Sequence, residues 1–204
     1  IICPQFLLIP NISSIIKDTN LVLGAQNCHY EKEGAFTGES SIELLKSFNC
    51  KYIILGHSER RLFTADSNSL VRKKIKIALS KKIKPIVCIG EPLEFRKNND
   101  YLRFLEKQLN ECIPECNEII VAYEPIWSIG TGLVPKFEEI FEIQDYVKSF
   151  LKKKKFIKKI SVLYGGSVSS NNIVNIIEES EVDGALIGGA SLVEKEILKI
   201  ISIL

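Results

Sequence analysis

Residues 123–132 read YEPIWSIGTG and follow the apolar, β-branched run Ile119-Ile120-Val121-Ala122. Such a run predicts a buried strand, so Glu124 falls where that strand ends, at the rim of the sheet where α/β proteins keep their active sites. Pro125 cannot continue a sheet ladder, and a large aromatic residue, an apolar tip and two glycines come after it. This composition predicts a loop that folds down over a ligand. Taken alone, however, a glutamate after a strand is more often a solvated loop residue.

The length and composition predict one domain over residues 1–204. The chain has 204 residues, of which 46% are hydrophobic, and this is enough to bury one sizeable core. A net charge of +2, with 25% charged residues, argues against a nucleic-acid surface or an anionic-membrane surface. The basic run 152–155 could form a nucleic-acid patch, but at the end of an amphipathic segment it is more often a solvated helix terminus.

The six cysteines are scattered at positions 3, 28, 50, 88, 112 and 116, and none forms a CxxC pair. No histidine or second cysteine pair lies near enough to Cys112 and Cys116 to complete a zinc site, so we expect no metal. The cysteines are interpreted as reduced thiols of a cytoplasmic protein. The sequence shows neither a signal peptide nor an apolar run of the roughly 18 residues that a membrane span needs.

The chain contains no methionine and opens with Ile1-Ile2-Cys3, inside an apolar run typical of a strand. An intact reading frame would begin with methionine. We therefore expect that this sequence is a fragment that lacks its beginning.

Short apolar runs recur along the chain, and they are separated by segments with apolar residues at three- and four-residue spacing. The runs are nearly continuous rather than alternating, which indicates strands buried on both faces, as in a parallel sheet. The seven candidate strands are residues 1–5, 21–27, 52–56, 85–90, 119–124, 160–165 and 183–188. The predicted surface helices include residues 68–82, 100–111, 137–154 and 171–180. This alternation predicts an α/β fold with seven βα units, and leaves open a doubly wound sheet or a (β/α)8 barrel lacking one unit.

His57 follows the third candidate strand, in the segment Gly56-His57-Ser58-Glu59. Ser58 is predicted to cap the next helix, with Glu59 in its first turn. The positive potential of a helix N-terminus disfavours imidazolium, so a neutral ring could donate a hydrogen bond to a carbonyl oxygen that gains negative charge. The alternative is a histidine that only satisfies backbone groups at a strand end.

Paired glycines with a serine follow two later strands, in Gly165-Gly166-Ser167 and in Gly188-Gly189-Ala190-Ser191. Glycines let backbone N–H groups approach an anion closely, and a short helix start after the second pair adds a favourable dipole. Barrel enzymes commonly hold phosphate in the loops after their last two strands. Together with Gly130 in the loop after Glu124, the two pairs predict a site for a phosphate dianion.

The long loop 29–39 contains Phe36 and Thr37 between glycines. A loop of this size could be a simple surface excursion or an arm that docks on a partner subunit. His29 lies in this loop and is given no catalytic role. The fourth candidate strand ends at Cys88-Ile89-Gly90-Glu91, which places a further carboxylate at the same rim.

Seven motifs resemble the triosephosphate isomerase family in their order and approximate spacing: AQNC, GAFTGE, LGHSERR, CIGE, AYEPIWSIGTG, YGGSV and DGALIGGASL. They extend over essentially the whole chain. The resemblance implies a TIM (β/α)8 barrel and an isomerase of glycolysis and gluconeogenesis that interconverts D-glyceraldehyde 3-phosphate and dihydroxyacetone phosphate through an enediolate. It implies no metal and no organic cofactor. The segments GHSERR and YEPIWSIGTG together argue against the alternative of another phosphate-binding barrel that acts on a sugar phosphate.

The resemblance also implies roles for individual residues. Glu124 would be the base that moves a proton between adjacent carbons of the substrate, His57 the electrophile that polarises the carbonyl, and Glu59 a carboxylate that supports the site. The implied phosphate cradle comprises Gly130, Ser167, Gly188 and Gly189. The implied lid comprises Pro125, Ile126, Trp127, Ser128, Ile129 and Thr131. The implied contacts of a homodimer arm are Phe36 and Thr37, with Thr37 reaching the neighbouring active site.

The chain departs from the family at its start. The family's first strand ends in an Asn-x-Lys element whose lysine binds the negative charge of the substrate, and this chain has no such element. The run 1–5 matches the family's second strand, so we expect free edges at 1–5 and 183–188. A lost charge-assisted contact of about 1.5–3 kcal/mol weakens binding about tenfold or more. The alternative is therefore an inactive remnant, or a subunit completed by a separate peptide.

Overall fold

The computed structural model describes residues 1–129 and 135–204 and contains a parallel six-stranded sheet. The strands are β1 (Gly24–Ala25), β2 (Tyr52–Leu55), β3 (Lys84–Ile89), β4 (Glu118–Tyr123), β5 (Lys159–Tyr164) and β6 (Gly184–Ala185). Every neighbouring pair is parallel, and the order of the strands in the sheet is their order in the chain. A doubly wound sheet requires a reversal of strand order, so this arrangement excludes that alternative. The sequential order is that of a barrel.

Helices follow the strands along the chain and cover one face of the sheet. Those within the described ranges are α1 (Ile9–Ile15), α2 (Ile42–Ser47), α3 (Ser58–Phe63), α4 (Asn68–Ser80), α5 (Leu93–Lys97), α6 (Tyr101–Cys112), α7 (Phe137–Lys152), α8 (Ile173–Ser180) and α9 (Glu194–Ile203). The four helices predicted from apolar spacing correspond to α4, α6, α7 and α8. None of the helices in these ranges is both long and apolar enough to cross a membrane.

Successive strand residues point into two different apolar layers. In β4, Ile119 and Val121 pack in the large core that the helices share with the sheet. Ala122, from the same strand, packs with Ile86 and Cys88 in a smaller cluster on the other face. Because both faces are apolar, these strands read in the sequence as continuous apolar runs rather than alternating ones.

The first candidate strand, 1–5, forms only a single parallel bridge, between Ile2 and Leu23. Pro4 lacks the N–H that a longer ladder would need, and a 3₁₀ turn begins at Phe6. The described residues therefore hold six strands, and the prediction of seven complete βα units stays unconfirmed. On the opposite side, β6 pairs with β5 alone within the described part of the chain, so the sheet has open edges where the sequence predicted them.

The amino ends of three central strands carry a set of solvent-facing ion pairs. Glu118 at the start of β4 lies 2.9 Å from the Nζ atom of Lys84 and 3.5 Å from that of Lys159. The hydrogen bond from Lys84 lowers the pKa of the Glu118 carboxyl below its usual value. This end of the sheet thus exposes paired charges to water.

Candidate active site

The carboxyl ends of β2 and β4 bring His57 and Glu124 together. Nε2 of His57 lies 3.1 Å from Oε1 of Glu124. The two atoms are within ion-pair distance, but the direction of the ring N–H does not meet the geometry of a hydrogen bond. The backbone N–H of Ser58 donates to the other carboxylate oxygen, Oε2, at 2.9 Å. The Glu124 side chain is buried, whereas the imidazole is 30% exposed. A buried carboxylate and an accessible imidazole therefore face each other at the rim.

Burial raises the pKa of the Glu124 carboxyl, because a charged group loses its hydration in a low-dielectric site. The neighbouring His57, the Ser58 N–H and the Cys88 thiol each favour the carboxylate and offset part of this rise. A carboxylate with a raised pKa accepts a proton more readily than an ordinary one. This environment suits a general base.

The raised pKa gives a test in the stability of the fold. We expect the free energy of unfolding of the wild-type protein to fall, relative to that of Glu124→Gln, as the pH rises through the raised folded pKa. Because the folded pKa lies above the ordinary value of 4.5, the native state binds more protons than the unfolded state between these two pKa values. The free energy of unfolding therefore falls as the pH rises through this range. Urea unfolding of both proteins between about pH 4 and about pH 8 measures this difference. If the wild type instead became more stable relative to Glu124→Gln as the pH rose, the raised pKa would be contradicted.

His57 itself caps α3, and the prediction that Ser58 caps this helix is wrong. The backbone of His57 is extended, and its Nδ1 accepts a hydrogen bond from the backbone N–H of Glu59 at 3.4 Å. An accepting ring nitrogen carries no proton, so in this arrangement the proton is on Nε2, which faces Glu124. The carboxylate of Glu59 is largely exposed and lies 3.8 Å from Nδ1. Glu59 is thus beside the other edge of the ring.

Buried charges fix the position of α3. Oδ2 of Asp66 lies 3.2 Å from Nε of Arg60 in α3 and 2.8 Å from Nζ of Lys74 in α4. Lys74 also donates to Oδ1 of Asn27, just after β1, at 3.1 Å. Asp66 and Lys74 are each 3% exposed. This network, which sequence reasoning missed, ties the helix capped by His57 to two neighbouring elements.

Arg61 joins the ends of β2 and β3 behind the site. Its guanidinium donates to the carbonyl oxygens of Gly56 at 2.7 Å and Cys88 at 3.2 Å, and to Oδ1 of Asn68 at 2.7 Å. Sequence reasoning missed this residue as well. The signal in the sequence was an arginine five residues after the glycine that follows β2.

Two glycines leave room for Glu124. A Cβ atom at Gly90 would lie 1.7 Å from the carbonyl oxygen of Glu124, and one at Gly165 would lie 2.9 Å from its Cγ. The N–H of Gly90 donates to Oε1 of the buried Gln108 at 2.9 Å, which holds the glycine in place. The strand ends on both sides of β4 therefore approach Glu124 more closely than any larger residue would permit.

Residues 125–129, the described part of the predicted lid, form a 3₁₀ turn at Ile126–Ser128. Nε1 of Trp127 and the hydroxyl of Tyr123 both donate to Oε1 of Glu91, each at 3.0 Å. Glu91 is fully buried, and burial raises the pKa of its carboxyl, while the hydrogen bond from Trp127 offsets part of the rise. Glu91, predicted only as a further carboxylate at the rim, thus binds Trp127 of the predicted lid.

The predicted phosphate-binding residues lie at the same rim as far as they are described. Oγ of Ser167 donates to the carbonyl oxygen of Ser128 at 3.4 Å. Gly188 and Gly189 are exposed, and a Cβ on either would meet no atom within 4 Å, so their backbone borders open space. Gly130 and Thr131 lie outside the described residues. Across the described ranges, no group of three or more metal-ligating side chains comes together.

The predicted arm is an exposed loop after β1. The ring of Phe36 stacks on His29 at a centroid distance of 3.9 Å, yet 38% of the Phe36 surface stays exposed. Thr37 beside it is exposed. The arm therefore presents an aromatic ring and a small polar side chain on the surface of the protomer.

Comparison with known proteins identifies the family to which this rim architecture belongs. The family model described as triosephosphate isomerase matches residues 1–204. The chain belongs to the triosephosphate isomerase family. It is therefore an isomerase of this family, as the motifs predicted.

Individual members of the triosephosphate isomerase family show how far the similarity extends. The triosephosphate isomerases of Amoebophilus asiaticus and Aquifex aeolicus are 43% and 39% identical to the chain, and each alignment covers 98% of the chain. The chain covers 83% and 84% of these two relatives. The crystal structure of triosephosphate isomerase from Bartonella henselae superposes with a TM-score of 0.91 at 34% identity, covering 98% of this chain and 84% of that one.

These comparisons confirm the α/β TIM-barrel fold and the assignment to the triosephosphate isomerase family. The similarity runs over nearly the full chain at 34–43% identity. It does not favour the alternative of an inactive or split remnant.

Proposed function

We propose that this chain interconverts D-glyceraldehyde 3-phosphate and dihydroxyacetone phosphate, in glycolysis and gluconeogenesis. The observation that carries the proposal is the distance of 3.1 Å between His57 Nε2 and Glu124 Oε1 at the rim of the sheet. The two carbonyl compounds differ by the transfer of one proton between adjacent carbons and another between two oxygens. A carboxylate base and a neutral imidazole are the groups that such a transfer needs.

In this mechanism the Glu124 carboxylate removes the proton from the carbon next to the carbonyl group and returns it to the adjacent carbon. The N–H at Nε2 of His57 donates to the carbonyl oxygen, where negative charge develops in the enediolate. Protons between the two oxygens pass through the same ring. Glu59 supports the other edge of the ring through its backbone N–H, which donates to Nδ1 at 3.4 Å, and its carboxylate lies 3.8 Å from the same atom.

The phosphate group of the substrate binds at the ends of β5 and β6, to Ser167, Gly188 and Gly189, with Gly130 as the fourth member of the cradle. The exposed backbone of the two later glycines supports this assignment, since nothing fills the space above them. The lid excludes water from the enediolate and so protects it from eliminating phosphate. Trp127, held by the buried Glu91, supports a lid packed against the rim.

The test is isomerisation by the purified chain in deuterium oxide, followed by proton NMR. We expect both substrates to interconvert and the product to take up deuterium at the carbon that Glu124 protonates. Incubation without protein gives the background rate. The proposal fails if the substrate only decomposes with loss of phosphate, or if interconversion does not exceed the background.

We further propose that the chain acts as one domain, in the cytoplasm, as a homodimer. The six cysteines are free, which suits a reducing compartment. The partly exposed Phe36 and the exposed Thr37 on the arm support a docking surface for a second copy. The stack of Phe36 on His29 pre-orders the arm, and this lowers the entropy that docking would cost.

Thr37→Arg should weaken the dimer. Burying an unpaired guanidinium in an interface costs at least about 1–3 kcal/mol, which raises the dissociation constant roughly tenfold or more. Sedimentation velocity over a concentration series measures that constant. Glu178→Arg, which adds the same side chain at an exposed position on α8, serves as the control. A monomeric wild type, or equal dimerisation of both variants, would contradict the arm assignment.

A further inference from the structure

We propose that Ser128 is a positioning residue for the isomerase reaction, and that its hydroxyl pairs with the phenol of Tyr164 to hold residues 125–129 against the rim. Ser128 acts through the lid and not by touching the substrate. The inference rests on the proposed function, because the positioned segment is the near part of the lid for that reaction.

Two buried hydroxyl groups carry the inference. Ser128 and Tyr164 are both 0% exposed, and neither Oγ of Ser128 nor the phenol oxygen of Tyr164 has a well-formed hydrogen bond within the described residues. Buried polar atoms without a partner are rare, because each forfeits its hydration. The two residues lie beside each other, because the phenol oxygen of Tyr164 lies over Gly166 and the adjacent Ser167 donates to the carbonyl oxygen of Ser128 at 3.4 Å. In keeping with this, burial raises the pKa of Tyr164 to about 12, and the Ser128 hydroxyl offsets part of that rise. Since hydroxyl hydrogens rotate freely, each group can satisfy the other.

The chain around Tyr164 directs the phenol toward the lid. A Cβ atom at Gly166 would lie 2.1 Å from the phenol oxygen, so the ring can fold back over this residue only because it is a glycine. The next residue, Ser167, donates to the carbonyl oxygen of Ser128 at 3.4 Å. The backbone of Ser128 thus contacts the segment that follows β5, and its side chain lies near the last residue of that strand.

This contact gives the lid a second support. Trp127 is held by Glu91, which follows β3, while Ser128 is held by Tyr164 and Ser167 at the end of β5. Residues 125–129 extend from β4, which lies between β3 and β5 in the sheet. The segment that begins directly after Glu124 is therefore held from both neighbouring strands. Releasing one support should leave Trp127 less fixed over the site.

The kinetic test is a double-mutant cycle on the full chain, with Ser128→Ala, Tyr164→Phe and the double variant. Each single change removes one hydroxyl and leaves the other buried without its partner. We expect each to lower kcat/KM about threefold to tenfold, mainly through kcat, and the double variant to be no worse than either single one. The matched control is Ser180→Ala, which removes another fully buried serine hydroxyl, one that donates to the Phe137 carbonyl oxygen at 3.2 Å. If the losses in kcat/KM of the two single variants multiplied in the double variant, the two hydroxyls would be independent and the pairing would be overturned.

A spectroscopic readout separates this inference from the proposed function. Trp127 is the only tryptophan in the chain, so the intrinsic fluorescence reports on the lid without any substrate. We expect Ser128→Ala and Tyr164→Phe to shift the emission to longer wavelength and increase its quenching by acrylamide, and Ser180→Ala to do neither. If Ser128→Ala does not fold, Tyr164→Phe alone decides by the same measure. Unchanged emission in a folded variant overturns the inference, whereas an inactive wild type overturns the proposed function and leaves the fluorescence test valid.

Discussion

Replacing Glu124 by glutamine is expected to lower kcat by about 10²–10⁴-fold, the usual contribution of a general base. Glutamine has nearly the same volume, and its amide oxygen can still accept the hydrogen bond that the Ser58 N–H now donates to Oε2. It cannot take up a proton from carbon. The loss should therefore appear in the chemical step, while KM and the fold change little.

Steady-state kinetics in both directions, with thermal unfolding of the same samples, measure this effect. Glu178→Gln makes the same chemical change at an exposed position of α8 and is expected to leave kcat unchanged. A kcat of Glu124→Gln within tenfold of the wild-type value would show that another group is the base.

Gly90→Ala is expected to damage both the fold and the activity. The new Cβ would lie 1.7 Å from the carbonyl oxygen of Glu124 and 2.7 Å from its carbonyl carbon, and backbone atoms cannot move aside as a flexible side chain can. Relief requires the ends of β3 and β4 to separate. Overpacking of this kind costs about 1–3 kcal/mol or more, which lowers Tm by roughly 2–12 °C in a chain of this size. A displacement of about 1 Å in the base costs on the order of 10²-fold in rate.

Thermal unfolding and kcat together test the Gly90 contact. Gly188→Ala provides the matched comparison for stability, because its Cβ would meet no atom within 4 Å and should leave Tm nearly unchanged. That variant is expected to alter KM through the phosphate cradle. If Gly90→Ala unfolded at the wild-type temperature and retained wild-type kcat, the close approach of the two strand ends would contribute neither to stability nor to activity.

The sequence was sufficient to locate the ends of the central strands, because continuous apolar runs stop where polar rim residues begin. For this reason His57 and Glu124 could be placed at a common rim before any contact was known. The short outer strands were harder. Residues 21–27 and 183–188 were predicted as full strands, but only Gly24–Ala25 and Gly184–Ala185 form a ladder. The extent of a strand depends on its neighbour, and Ile2 and the open edge of β6 supply little pairing.

Contacts between distant residues could not be predicted from local pattern. Glu91 and Trp127 are 36 residues apart, and Lys74 and Asn27 are 47 apart, so no spacing rule connects them. The cap of α3 was misassigned for a different reason. Serine is the commoner capping residue, but here the extended backbone belongs to His57, and its ring nitrogen replaces the usual hydroxyl oxygen.

The contrast between the two ends of the sheet has a consequence for the ionic strength of the medium. The pair of Asp66 with Lys74 near α3 is buried, while Glu118 with its two lysines at the amino ends of the strands faces water. Added salt weakens ion pairs that are exposed to water and acts far less on buried ones. Raising the salt concentration should therefore weaken the Glu118 ion pairs at the end of the sheet opposite His57 and Glu124, while the helix that His57 caps should keep its position in dilute and concentrated buffers alike.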